Sequence, residues 1–144
     1  MTNRRFILTA ISLLFLGFST PQISKAEISI IVHPSNDAVI SLKDVKRIYL
    51  GKQKHYADGT KSIPYCRAYT SPEKAQFVEA ILLKSMLQLK AYWAELLFTG
   101  KGVPPKTLES SEAIKQRIAS TPAAIGYIDS SFVDESVREI HRFP

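Results

Sequence analysis

IPYCRAYTSPEKAQFVEAIL, residues 63–82, is the stretch whose reading decides the fold. Ile63 to Cys66 is a short apolar run that reads as a buried strand, and Arg67 sits just past its end. Ser71 and Pro72 then read as the N-cap and first position of a helix, because a serine hydroxyl satisfies an orphan backbone N–H and proline has none to lose. Phe77, Val78, Ile81 and Leu82 follow a helical period. A strand feeding a helix start, with an arginine and a serine at the junction, is a geometry that holds anions: free N–H groups and the helix dipole favour negative charge there. The same residues also allow a plain reading, in which Arg67 pairs with Glu73 or another carboxylate.

Working outward, Glu27 to Val32 is β-branched and reads as the first strand, ended by the loop residues His33 to Asp37. Ser41 with Asp44 three residues on is a near-capping box. Leu42, Val45, Ile48 and Tyr49 form the apolar face behind it, and Gly51 fits the stop. A polar loop, Lys52 to Ser62, leads into the central stretch. Beyond it Ser85 caps a helix whose face carries Leu89, Tyr92, Trp93, Leu96 and Leu97. Thr99 to Lys106, with two glycines and two prolines, reads as a loop. Ser110 or Ser111 then caps a helix with Ala113, Ile114 and Ile118. Ala123 to Ile128 reads as a strand in which Gly126 allows close backbone approach. Asp129-Ser130-Ser131 starts a helical turn, and Val137 to Phe143 is a terminal strand. Strands separated by helices imply an α/β domain with an at least partly parallel sheet.

The N-terminal residues read as a leader. Arg4 and Arg5 precede an uncharged apolar run, Phe6 to Phe18, and Ser24-Lys25-Ala26 places small residues where a signal peptidase reads. Export is expected, with residues 1–26 removed and one domain at 27–144. The apolar run is shorter than the roughly 20 residues that span a bilayer, so a periplasmic or otherwise exported protein with no membrane span in its mature form is expected. The chain carries a net charge of +6, and losing Arg4, Arg5 and Lys25 with the leader lowers it to +3. No Lys/Arg block of the kind nucleic acid requires is present. Cys66 is the one cysteine, so no intramolecular disulfide forms, and among apolar neighbours it reads as a small buried hydrophobe.

Other chemistry finds little footing. His33, His55 and His141 lack metal spacing, TGKGVPPK lacks the P-loop pattern, and Ser130-Ser131 lacks the nucleophile elbow. No nucleophile, base and orienter set is visible, so no enzyme activity, metal or cofactor is expected.

Ile30-Ile31-Val32-His33-Pro34, SLKDVKRIYLGK (41–52), Cys66-Arg67-Ala68 through Phe77, and AIGYID (124–129) occur in one order. In that order they resemble the second lobe of the periplasmic phosphate-binding proteins of ABC transporters, within the type 2 periplasmic-binding-protein group. The resemblance implies a single lobe with a mixed, mostly parallel sheet flanked by helices, and a ligand held at helix N-termini. It implies phosphate or a similar oxyanion as ligand, with an ABC transporter permease or a second protein chain as partner. Arg67 matches the family's arginine and Ser71 the serine of its Ser-Gly-Thr. Pro72 stands in place of glycine and removes an N–H. Glu73 stands in place of threonine and brings a like charge to an incoming anion. The chain also has residues for one lobe where the family closes two. The expectation is therefore an exported solute-binding module; the alternative is a protein-interaction module that kept the lobe and lost its ligand.

Overall fold

The computed structural model describes residues 26–144; the expected leader lies outside them but for Ala26. Strands β1 (Ile28–Val32), β2 (Ile63–Arg67), β3 (Lys106–Leu108), β4 (Ala124–Asp129) and β5 (Arg138–Phe143) form a single sheet in the order β3-β2-β4-β1-β5. β2 is parallel to β3 and β4, while β1 is antiparallel to both β4 and β5. Four strands thus share one direction and β1 alone is reversed. Its five residues are all buried, as a strand covered on both faces must be.

Alternation along the strands separates two apolar layers. Ile28, Ile30 and Val32 of β1, with Ile125 and Tyr127 of β4, face helices α1 (Leu42–Tyr49), α2 (Pro72–Phe77) and α3 (Met86–Phe98). Ile31, Ala124 and Ile128 face the opposite way, onto Ile114 and Ile118 of α4 (Ser111–Ser120). The molecule is a three-layer α/β/α lobe, in agreement with the expected fold class.

The caps form where the sequence places them. Ser41 and Asp44 close a full capping box on α1, and Ser85 with Gln88 another on α3. Gly51, at φ 69°, ends α1 with its N–H on Ile48 O and the Lys52 N–H on Arg47 O, the paired bonds of a Schellman stop. Several features differ from the sequence reading, the exposure of Leu42 on the expected apolar face of α1 among them. β3 begins on Lys106, the last residue of what reads as a loop, and continues over Thr107 and Leu108, to which no element is assigned from sequence. α2 runs on into a π-helical turn, Val78–Leu82, which ends on Leu83 at φ 55°. Leu97, read as core, is 52% exposed. Among the described residues no helix is long and apolar enough to cross a membrane.

Gly126 decides how closely α4 lies on the sheet. A Cβ there would stand 2.5 Å from Ile114 Cγ2 and 3.2 Å from Ile118 Cδ1. Gly126→Ala is expected to destabilise the fold by about 1–3 kcal/mol through overpacking, measured by urea unfolding, and Ile114→Ala, which removes the clashing Cγ2, should cost less in the Gly126→Ala chain than in the wild type.

Candidate functional site

The junction singled out in the sequence is formed as a tight turn. β2 ends on Arg67 itself, one residue later than its apolar run suggests. The Ser71 N–H and Ser71 Oγ both donate to Ala68 O, at 3.0 and 2.9 Å. Ser71 Oγ in turn accepts the Lys74 N–H at 3.2 Å, as the N-cap of α2, with Pro72 at the first helical position. A hydroxyl has one hydrogen. Here that hydrogen lies on a backbone carbonyl, so Ser71 serves first as a cap.

The turn carries Glu73 back towards Arg67. Arg67 Nη2 donates to Glu73 Oε2 at 3.4 Å, with the two side chains 11% and 13% exposed. That separation is long for a charge-assisted bond, which typically falls at about 2.7–2.9 Å. Arg67 Nε and Nη1 are buried and have no partner among the described residues. The guanidinium is therefore buried and held by one long contact, with most of its donor capacity unused.

What positions Arg67 is a tyrosine that the sequence reading passed over. The Arg67 N–H donates to Tyr127 Oη at 3.1 Å. Tyr49 Oη lies 2.9 Å from Tyr65 O and 3.2 Å from Ile125 O, its single hydrogen shared between the two carbonyls. Burial pushes both phenols well above their ordinary range, so both remain neutral hydroxyls. The signal was available in Tyr127, a polar-tipped aromatic inside an otherwise apolar strand. Cys66, next to Arg67, is buried as expected. Its sulfur lies 3.3 Å from Lys74 Nζ, a lysine that sequence reasoning did not single out. Of the histidines, His141 Nε2 meets Ile40 O at 2.8 Å and His33 Nδ1 meets Ser35. Among the described residues no three His, Cys, Asp or Glu side chains gather as a metal site requires.

Two substitutions test this geometry. Ser71→Ala should lower stability by about 1 kcal/mol, while Ser71→Asp, which can still cap, should not. Tyr127→Phe leaves the Arg67 N–H without its acceptor and should cost about 1–3 kcal/mol, with faster exchange of that one amide by NMR.

No protein-family model matches the sequence, and no curated protein does. Solved structures do. A candidate phosphate ABC transporter substrate-binding protein from Clostridium perfringens, solved with bound phosphate, is 27% identical with a TM-score of 0.63, over 80% of this chain and 45% of that one. An ABC-type phosphate transport receptor from Vibrio cholerae is 19% identical with a TM-score of 0.61, over 80% and 46% of the two chains. PstS from Borrelia burgdorferi is 14% identical with a TM-score of 0.59, over 80% and 47%. The chain thus spans a little under half the length of the proteins it matches. Its fold is a single lobe of the type 2 periplasmic-binding-protein kind, similar to the substrate-binding proteins of phosphate ABC transporters.

Proposed function

We propose that residues 27–144 are an exported solute-binding module for phosphate or a similar oxyanion, with residues 1–26 as the signal peptide that sends it to the periplasm. The observation that carries this reading is the Arg67 guanidinium, buried at the β2–α2 junction with Nε and Nη1 unpartnered. A buried cation short of acceptors is costly, and a bound oxyanion offers several acceptors in the plane a guanidinium prefers. Ser71 joins it by turning its hydroxyl from Ala68 O to the ligand. The similarity to phosphate-transport receptors supports the same reading.

Glu73 sets the affinity. Its carboxylate already lies on Arg67, so an incoming anion has to displace it or bear its charge. Two like charges about 4 Å apart cost on the order of 4 kcal/mol at an effective dielectric of 20. Binding by this lobe alone is therefore weak, and a second chain or an ABC transporter permease would complete the ligand's other face. A second reading rests on the same contact. If the Arg67–Glu73 pair is permanent, the lobe is a non-enzymatic protein-interaction module without a ligand.

Calorimetric titration with phosphate separates the two. Wild type should bind in the millimolar range, Glu73→Gln at least tenfold tighter, and Arg67→Ala should give no heat. Absence of heat from both wild type and Glu73→Gln overturns the oxyanion reading and leaves the interaction module.

A further inference from the structure

A second polar group is buried beside the junction. Lys74 is only 5% exposed. Its Nζ donates to Cys66 Sγ at 3.3 Å and stands 4.1 Å over the centre of the Tyr69 ring. Among the described residues it forms no ion pair with a carboxylate. A thiol and an aromatic face are weak partners for an ammonium, and a buried charge without a counter-charge is strongly disfavoured. The ammonium borders a cavity of about 70 Å³. That exceeds the roughly 10–15 Å³ one water needs, and falls well short of the roughly 300–1,000 Å³ of sites for drug-sized ligands. Phe77, Val78, Leu82, Leu89 and Trp93 supply its apolar wall, and neither Arg67 nor Ser71 lines it. The exposed lining residues Tyr69, Pro104 and Thr107 mark its mouth. Lys90 Nζ, 5.7 Å from the Tyr69 ring, adds positive charge on that side.

We propose that this cavity is a binding site for a short-chain monocarboxylate, its head on the Lys74 ammonium and its tail against the Phe77–Trp93 wall. Among the described residues Lys74 is the one cation that lines the cavity, Lys90 standing outside its wall, and one lining cation matches one negative charge. A phosphate dianion would bring a second charge and further oxygens into a wall that is mostly hydrocarbon. A hydrocarbon tail of two to four carbons suits both the volume and the lining. The site is separate from the proposed oxyanion site, and its fate does not depend on that reading.

Trp93 is the chain's one tryptophan and lines the cavity, so its fluorescence reports occupancy. Titration of the full mature chain with acetate, propionate and butyrate should saturate, tightening about fourfold with each added methylene. Butyramide, neutral and of the same shape, should bind at least tenfold more weakly than butyrate. Lys74→Met should bring the acid and the amide to the same affinity. Inorganic phosphate should leave the butyrate curve unmoved, whether or not phosphate binds at Arg67. Equal binding of butyrate and butyramide to wild type, no saturable response, or displacement of butyrate by phosphate would each overturn the proposal. If Lys74→Met does not fold, the wild-type comparison of acid with amide decides alone.

Discussion

Two tyrosine hydroxyls stand in for the hydrogen bonds of a sheet that parts. β2 pairs with β4 only at Ile63–Ala124 and Pro64–Ile125. Beyond those pairs the strands diverge, and Tyr65 O and Arg67 N–H would be buried without partners. Tyr49 supplies the donor for the first and Tyr127 the acceptor for the second. The rings that carry these hydroxyls are fixed by Phe77, stacked on Tyr127 at 4.0 Å and edge-on to Tyr49 at 4.7 Å. Strand β4, helix α1 and helix α2 are thereby joined at the point where β2 ends. Leaving either backbone group unsatisfied would cost about 1–3 kcal/mol, so the opening persists only because the hydroxyls fill it.

That opening sets the surroundings of two neighbouring cations. Arg67 terminates β2 with its amide held by Tyr127, and its head group meets Glu73. Lys74 enters from the first turn of α2 and meets the sulfur of Cys66, one residue before Arg67. Both side chains are buried, yet among the described residues only one of them has a carboxylate within reach. The difference follows from the turn: Pro72 and Ser71 fix the start of α2, and successive helical positions then point Glu73 and Lys74 in different directions. A strand end that gathers positive charge in a low-dielectric setting favours negative charge beside it, which is the common ground of the two proposed sites.

The sequence revealed the parts whose cause is local. Caps at Ser41, Ser71 and Ser85, the glycine stop at Gly51, and the apolar runs of β1, β2 and β4 all report short-range chemistry, and each stands within one residue of the sequence reading. What stayed hidden depends on distant partners. Lys106-Thr107-Leu108 is largely exposed and follows two prolines; it is a strand only because β2 offers it an edge from Tyr65 to Arg67. The reversed direction of β1 leaves no mark in a run of isoleucines. Lys74 reads as an ordinary solvated helix lysine, whereas its head group is buried against the Cys66 sulfur and the Tyr69 ring. Arg67 and Ser71 were identifiable as a pair at one turn, but not the Ala68 carbonyl that takes the serine's hydrogen.

A helix start that is good for stability is here poor for anions, and the two demands act on the same three residues. Ser71 caps best when its oxygen faces the Lys74 N–H. Pro72 is favoured at the first position because it lacks an N–H, and Glu73 in the first turn is favoured by the helix dipole. Each choice removes a donor or adds a negative charge at the place an anion would occupy. Oxyanion affinity at this junction then falls almost entirely on Arg67, whose backbone is anchored by Tyr127 and whose head group has Glu73 as its one internal competitor. On the function proposed above, such a lobe would bind by exchanging an internal carboxylate for an external anion, and its affinity would be governed less by the number of ligand contacts than by how readily Glu73 gives way.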